Sequence, residues 1–308
     1  MNRNRISICA VLATALGLLV ASPAQAAGSW QSNYSWGGSG LTMDLYTPST
    51  PAASPAILVA IHYCSGNSGS THGWFDSYAD KYGFFIIAPN AGTNCFDASP
   101  GRSGARANIA DMVKAVIKAK NGDATRVYSA GASSGACMTQ ALLASYPDVF
   151  AAGSSLAGVP VGAWTGGTAY GWSTSGVSGG AAWGDKVRQA DPDFSGTRPR
   201  VQLWQGQGDT TLTYSQTYQN EVDQWMNVFG LTSADGTKTS VKPTGAQDTW
   251  DRTSYKNSSG TVVLEANSGP SNVPHDLTGR GLFGDVIRFF GLDQAFTPGT
   301  GGTGGGVA

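Results

Sequence analysis

The sequence predicts an α/β protein with a mostly parallel central sheet and helices on both faces. Apolar strand-like stretches alternate along the chain with amphipathic helical segments, which is the order that βαβ crossovers produce. One strand leads directly into a Gly-x-Ser-x-Gly pentapeptide followed by a helix-forming segment. The chain beyond an N-terminal leader has about 270 residues, which is enough to build one sizeable core. We therefore expect a single folded domain.

The first 26 residues are expected to be a secretory signal peptide. Arg3 and Arg5 precede the apolar run 6–20, and Ala24-Gln25-Ala26 follows as an A-x-A cleavage pattern. The apolar run is too short to span a bilayer, which disfavours a membrane anchor, and no later segment is long and apolar enough to cross one. The sequence thus predicts a secreted, extracellular protein starting at Ala27, with no membrane partner.

Charge and cysteine content narrow the possible partners. The leader contains two arginines and no acidic residue, leaving 17 of the 19 basic residues against all 20 acidic ones. This balance argues against nucleic acid or anionic lipid as a partner. Cys64, Cys95 and Cys137 remain, and an odd number in an oxidising compartment predicts one disulfide and one free thiol. No two have metal-ligand spacing and histidine is scarce, so we expect no metal.

Strands and helices alternate through the N-terminal half. The predicted strands are 41–46, 57–62 and 84–88, and the predicted helices are 71–82 and 107–120. Strand 57–62 is nearly all apolar, as expected where a sheet is buried on both faces. In helix 107–120 apolar residues recur at i, i+3, i+4, i+7 and i+8 from Ile109, which defines an amphipathic helix.

The C-terminal half continues the alternation around an irregular insertion. The predicted elements are helix 138–145, ended by Pro147, strands 150–156, 201–204 and 261–265, and helices 214–228 and 282–290. Residues 158–185 are rich in Gly, Ser, Thr and Trp, and we expect an irregular insertion near the site. The Gly/Thr-rich tail 297–308 is typical of a flexible linker to another module or of a plain disordered terminus.

The segment 126–137 is typical of a nucleophile elbow. Gly131 and Gly135 flank Ser133, and a strained strand-to-helix turn leaves no room for a Cβ at these positions. Such a turn raises the Ser133 hydroxyl above the sheet edge and directs the first amides of the next helix at a bound carbonyl oxygen. With 43 glycines in the chain the pentapeptide alone is weak evidence, but the strand before it and the helix after it favour an α/β-hydrolase nucleophile.

A serine nucleophile needs a histidine base oriented by a carboxylate. Among His62, His72 and His275, only His275 lies downstream of Ser133, as the α/β-hydrolase order of serine, acid and histidine requires. Asp209 follows strand 201–204 through a glycine-containing loop and is the predicted acid. The competing carboxylates lie in irregular sequence, in a solvated helix or beside the base; they are Asp185, Asp191, Asp193, Asp223 and Asp276.

The oxyanion of the tetrahedral intermediate needs preorganised amide donors. We expect one from Ser134, directly after the nucleophile, and one from Cys64, in the loop after strand 57–62. His62, at the end of that strand, is expected to be structural. In the insertion, Trp164, Trp172 and Trp183 are candidate substrate-binding residues, with an exposed connector that packs its own aromatics as the alternative for each.

Four stretches besides the elbow carry a resemblance to a known family; they are residues 62–67, 77–84, 94–97 and 155–160. Together they resemble the secreted esterases grouped with polyhydroxybutyrate depolymerases, the first family of carbohydrate esterases, which includes acetyl xylan esterases and feruloyl esterases. The similarity covers nearly the whole chain after the leader, in order. It implies an α/β-hydrolase esterase domain over 27–296 and hydrolysis of esters on plant cell-wall polysaccharide.

Carried over position by position, the resemblance agrees with Ser133, Asp209 and His275 as the catalytic set. It also implies a disulfide between Cys64 and Cys95, which would hold the oxyanion loop in place. Cys137 would then be the free, buried thiol.

The leading expectation is therefore an acetyl xylan esterase. A feruloyl esterase and a polyester depolymerase acting on polyhydroxybutyrate are alternatives, since acyl selectivity depends on a few pocket contacts. A secreted carbohydrate-binding protein on a hydrolase scaffold is the non-enzyme alternative. We expect acetylated or feruloylated plant polysaccharide as the partner and a monomeric chain. No cofactor is expected, because the serine, histidine and aspartate chemistry needs none.

Overall fold

A computed structural model describes residues 27–92, 94–167 and 171–294. The strands are β1 Ser29–Gln31, β2 Thr42–Thr47, β3 Ile57–Ile61, β4 Phe85–Asn90, β5 Val127–Ala132, β6 Ala152–Leu156, β7 Arg200–Gly206, β8 Gly236–Val241, β9 Trp250–Lys256 and β10 Val262–Gly269. The α-helices are α1 Asp76–Tyr82, α2 Gly104–Lys120, α3 Ser134–Ser145, α4 Gly179–Ala190, α5 Tyr214–Phe229 and α6 Phe283–Phe290. The predicted leader 1–26 and tail 297–308 lie outside the described residues.

The strands form one twisted sheet with parallel pairing at its centre. The strand order is β1-β2-β4-β3-β5-β6-β7-β10-β9-β8. Every pairing from β4 to β10 is parallel, while β1, β2, β8 and β9 join at the two edges through antiparallel pairs. The prediction of a mostly parallel α/β sheet is thus confirmed.

Helices cover both faces of this sheet, as predicted. Side chains of α2, α3, α4 and α5 pack with one face, and those of α1 and α6 with the other. Strand β3 contributes to both cores, because Ile57, Val59 and Ile61 face one side whereas Leu58 and Ala60 face the other. All twelve residues of α3 are buried. In the described part of the chain, no helix combines the length and the apolarity needed to cross a bilayer.

The structure differs from the sequence prediction at several places, including the edge strand β1, which is absent from the predicted elements. Helix α4 begins inside the segment predicted to be irregular, because Val187 and Ala190 give its C-terminal half an apolar face. The β8–β9 hairpin was not predicted, since β8 is largely exposed and polar and lacks an apolar alternation. Residues Ser68–Thr71 form a 3-10 turn, and the helix predicted from residue 71 begins only at Asp76, after Gly73 with φ of 85°.

The turn between β5 and α3 brings backbone segments very close together at the centre of the sheet. Ser133 has φ of 56° and ψ of −119°, a strained conformation for a residue with a side chain. A Cβ on Gly131 would overlap the backbone of Gly135, and a Cβ on Gly135 would overlap the carbonyl oxygen of Ile61 at the end of β3. Both glycines are therefore required for α3 to start against β3.

Replacing Gly135 with alanine should lower the free energy of unfolding by about 3 kcal/mol or more, because the added methyl group meets backbone that cannot move aside. Denaturant unfolding of the two proteins measures the difference. Gly279→Ala is the matched control, since nothing lies within 4 Å of a Cβ at that position. Equal stabilities for Gly135→Ala and the control would contradict this account of the elbow.

Candidate active site

Loops that follow four parallel strands meet at one edge of the sheet. Ser133 follows β5, Asp209 follows β7, His275 follows β10, and Cys64 lies in the loop after β3. The carboxyl ends of parallel strands lie on the same edge, and this is where open α/β sheets bind ligands. The site is thus assembled by topology from residues that are far apart in sequence.

Ser133, His275 and Asp209 form a continuous hydrogen-bonded series. The Ser133 Oγ lies 2.9 Å from His275 Nε2, and His275 Nδ1 lies 2.8 Å from Asp209 Oδ2. Asp209 is 2% exposed, whereas the His275 side chain is 21% exposed and faces a cavity. An imidazole held this way donates its Nδ1 proton to the carboxylate and presents an unprotonated Nε2 to the serine hydroxyl.

Close backbone contact fixes the loop of the acid against the loop of the base. The Gly208 amide donates to the carbonyl of Val273 over 3.1 Å. A Cβ on Gly206 would overlap that same carbonyl, and a Cβ on Gly208 would approach the carbonyl of Ser271 within 2.5 Å. The two glycines allow the loops to approach closely enough for Asp209 to reach His275.

Four of the other candidate carboxylates are engaged elsewhere, and the fifth, Asp193, is exposed. Asp276 accepts hydrogen bonds from the amide and hydroxyl of Thr278, at 2.9 and 2.7 Å, although it neighbours the histidine. Asp185 pairs with Arg188, Asp191 with Arg102, and Asp223 accepts from the Gln219 side chain. The structure brings none of these side chains to His275.

The two remaining histidines lie outside the series. His62 is fully buried, and burial lowers the pKa of its ring. Its Nε2 accepts from the Ala91 amide over 3.2 Å, so Nδ1 carries the proton and donates to the Tyr63 carbonyl over 2.7 Å. His72 stacks on Trp30 with ring centroids 3.9 Å apart and contacts Asp44. Both rings support loops.

A cavity of about 390 Å³ opens beside Ser133 and His275. Its other walls include Tyr63, Cys64, Trp164, Leu212, Leu277 and Thr278. Of the three candidate substrate-binding tryptophans, only Trp164 lines it. Trp172 is half-buried and joins Trp164 in an isolated backbone bridge. Trp183 is fully buried on α4, in a cluster that also contains Cys137 and Ala141 of α3, so it is neither a cavity residue nor part of an exposed connector.

The two expected oxyanion donors flank the nucleophile. Ser134 is the first residue of α3, and amides in the first turn of a helix have no acceptor within the helix. Cys64 lies across the cavity in the loop after β3. The structure contains the Cys64–Cys95 disulfide that the family resemblance implies, and it links the loops that follow β3 and β4. Cys137 is a buried free thiol.

Asp97 holds the Trp164 loop against the disulfide loop. Its Oδ1 accepts from the Gly166 amide over 3.0 Å and from the Ser99 amide over 3.0 Å. The Trp164 indole donates to the carbonyl of Gly166 over 3.0 Å. The position of Trp164 in the cavity wall therefore depends on a carboxylate two residues after Cys95.

A second buried carboxyl group lies behind the elbow. Glu221 on α5 accepts from Gln140 Nε2 of α3, which also approaches Ser155 and Val159. Burial raises the pKa of the Glu221 carboxyl to about 8, and the nearby charge of Asp209 acts in the same direction, against the opposing Gln140 hydrogen bond. Burial also raises the pKa of the Cys137 thiol, which makes it a poor nucleophile.

Sequence reasoning did not single out Tyr63, Gln205 or Glu221. Tyr63 is 38% exposed at the cavity and is the only large hydrophobic side chain that is exposed among the described residues. The Gln205 amide contacts Asp209 Oδ2 over 3.2 Å. The adjacency of Tyr63 to Cys64 could have indicated that Tyr63 lies at the cavity. Nothing in the sequence indicates that Gln205 on β7 and Glu221 on α5 are buried.

The chain is similar to known esterases. The family model described as Esterase PHB depolymerase matches residues 41–170. A protein of Aspergillus fumigatus named "Probable acetylxylan esterase A" is 36% identical over 251 residues, which cover 73% of this chain and 67% of that protein. The protein named "Feruloyl esterase B" of Talaromyces stipitatus is 36% identical over 218 residues, and the chain spans 61% of its length.

A solved structure extends the similarity to the fold. The acetyl xylan esterase from Aspergillus awamori matches with a TM-score of 0.75 and 28% sequence identity. The match covers 86% of this chain and all of that one.

Glu221→Gln should stabilise the protein increasingly as the pH rises from 5 to 8. The pKa of the Glu221 carboxyl is raised from its ordinary value of 4.5 to about 8 in the folded protein, so between these pH values the folded protein binds a proton that the unfolded chain does not. The free energy of unfolding of the wild type therefore falls as the pH rises through that window. Glutamine mimics the neutral acid at every pH. Denaturant unfolding at pH 5 and pH 8 should give a difference between variant and wild type that grows by on the order of a few kcal/mol. A difference that stays constant with pH would contradict a neutral Glu221.

Proposed function

This chain belongs to the family of PHB depolymerase-type esterases, and we propose that it is a secreted acetyl xylan esterase that removes acetyl groups from plant cell-wall xylan. The observation that carries the proposal is the hydrogen-bonded series of Ser133, His275 and Asp209 beside the cavity. The acetyl xylan esterase relatives support the substrate class. Secretion is supported by the leader pattern and by the disulfide.

In the proposed acylation step, Ser133 Oγ attacks the acetyl carbonyl carbon while His275 Nε2 takes the hydroxyl proton. The 2.9 Å separation of these atoms is within the reach of direct proton transfer. Asp209, 2.8 Å from Nδ1, keeps the ring in the required tautomer and stabilises the imidazolium. Collapse of the tetrahedral intermediate breaks the bond to the sugar oxygen, which leaves with the proton from His275.

Negative charge develops on the carbonyl oxygen during this attack. We assign the Cys64 and Ser134 amides as its donors, because Ser134 follows Ser133 at the start of α3 and Cys64 lines the same cavity as Ser133. Fixed amides stabilise that charge without reorganisation, and loss of one donor in other hydrolases lowers kcat by roughly 100- to 1000-fold. The Cys64–Cys95 disulfide and the start of α3 hold the two donors in place.

Deacylation repeats the chemistry with water as the nucleophile. His275 Nε2 takes a proton from the water as its oxygen attacks the acetyl carbon on Ser133. The bond between that carbon and Ser133 Oγ then breaks, Oγ takes the proton from His275, and acetic acid leaves and ionises to acetate. Each proton taken by the histidine is thus returned within the same half-reaction, and the enzyme ends as it began.

A feruloyl esterase is the second candidate. An acetyl group fills only a small part of a cavity of about 390 Å³, and Trp164, Leu212 and Leu277 give that cavity apolar walls suited to a phenolic acid. The similarity to feruloyl esterase B relatives supports the same alternative.

Purified enzyme should release acetate from acetylated xylan faster than it cleaves methyl ferulate. Ser133→Ala should lower acetate release by about 1000-fold or more, because the nucleophile is lost. Acetate can be measured by a coupled assay and ferulate by chromatography. Cleavage of ferulate alone would transfer the proposal to the second candidate, and cleavage of neither would overturn both.

Tyr63→Ala should raise KM for acetylated xylan by about 2- to 10-fold and leave kcat/KM for 4-nitrophenyl acetate unchanged. The exposed ring beside the cavity offers an apolar face to a sugar of the main chain, which the small ester lacks. Tyr63→Phe keeps the ring and is the matched control. An equal loss on both substrates would show that Tyr63 supports the site rather than the polysaccharide.

A further inference from the structure

Gln205 is a fully buried amide at the carboxyl end of β7, four residues before Asp209. Its Nε2 lies 3.2 Å from Asp209 Oδ2 and 2.5 Å from the carbonyl oxygen of Leu212. Its Oε1 accepts from the hydroxyl of Thr217 on α5 over 3.0 Å. A buried glutamine with partners at both ends of its amide is held in a single orientation.

The chemistry of these partners fixes which end of the amide faces the acid. A carboxylate oxygen and a backbone carbonyl are both acceptors, so only the NH₂ group can face Asp209 and Leu212. The amide oxygen then faces the Thr217 hydroxyl, which can donate. Each N–H of Gln205 therefore has its own acceptor, and rotation of the amide would bring its oxygen against two acceptors.

Gln205 and His275 donate to the same oxygen of Asp209. Oδ2 receives His275 Nδ1 at 2.8 Å and Gln205 Nε2 at 3.2 Å, while Oδ1 receives the amides of Thr211 and Leu212 at 2.9 and 3.0 Å. The carboxylate is thus held by three donors in addition to the histidine. Two of them are amides of its own loop, and only Gln205 reaches Asp209 from the sheet.

We infer that Gln205 is a positioning residue that fixes the Asp209 carboxylate for His275. The inference rests on the proposed function, in which Asp209 orients the imidazole. Loss of the Gln205 donor leaves Oδ2 bonded only to His275, the ring that it must orient. Gln205 also binds the carbonyl of Leu212, whose side chain lines the cavity, so one amide links the acid to the acyl-binding wall.

The test is a double-mutant cycle on hydrolysis of 4-nitrophenyl acetate. Gln205→Met removes the donor at nearly constant volume and should lower kcat by about 10- to 100-fold with little change in KM. Asp209→Ala should lower kcat by about 10,000-fold. Because Gln205 acts through Asp209, adding Gln205→Met to Asp209→Ala should change kcat by less than about twofold.

Gln202→Met is the matched control. Gln202 lies on the same strand, is equally buried, and donates to Glu265 and Asp285 at 3.0 and 2.9 Å, away from the series. It should lower the melting temperature and leave kcat unchanged. Every kcat is normalised to the concentration of folded protein, which thermal unfolding of each variant checks.

Three outcomes would overturn the inference. They are an unchanged kcat in Gln205→Met, losses that multiply fully in the double variant, and an equal loss in Gln202→Met. If Gln205→Met does not fold, Thr217→Val releases the other end of the amide and should lower kcat several-fold in the same cycle. A wild-type enzyme that is inactive on this ester would overturn the proposed function as well. If the wild type is active and Ser133→Ala and Asp209→Ala lose that activity, the proposed function stands and the Gln205 variants test the inference alone.

Discussion

The close approach of α3 to the end of β3 is the constraint on which the rest of the site depends. Gly135 lies where a side-chain carbon would overlap the Ile61 carbonyl, so the helix starts directly against the strand that carries the Cys64 loop. This contact forces Ser133 into its strained conformation and brings the first amides of α3 opposite that loop. The proposed nucleophile and both proposed oxyanion donors are therefore positioned by one backbone contact. The disulfide to Cys95 then limits how far the facing loop can move.

Two buried carboxyl groups near this contact have different surroundings and different roles. Asp209 accepts from four N–H donors, one of which is the His275 ring. Glu221 receives the Gln140 amide instead, and burial raises the pKa of its carboxyl to about 8. Asp209 is therefore the carboxyl group that contacts the histidine, whereas Glu221 joins α5 to α3.

Chain order and strand ends were enough to predict the catalytic candidates and the parallel sheet. Ser133, Asp209 and His275 each follow a recognisable strand, and parallel strands deliver their carboxyl ends to one edge. Prediction from sequence is limited where the residues around a position do not indicate whether the folded protein buries it. Trp183 lies in a segment predicted to be an irregular insertion near the site, yet α4 buries it in the interior. Strand β8 carries no apolar alternation, and Gln205 and Glu221 belong to residue types that are usually exposed, so only the three-dimensional contacts identify them.

The cavity walls come from separate loops, and each loop is held by a different interaction. The disulfide holds the loop of Tyr63 and Cys64, Asp97 holds the loop of Trp164 through the Gly166 amide, and Gln205 holds Leu212. Because none of these interactions involves Ser133 or His275, the walls can change shape while the hydrogen-bonded series stays intact. The relatives include proteins named as acetylxylan esterases and as feruloyl esterases, and acyl selectivity depends on a few pocket contacts of this kind. Leu212 is the exception, because the Gln205 amide donates both to the Leu212 carbonyl and to Asp209. A change at Leu212 would therefore also disturb the hydrogen bonds of Asp209.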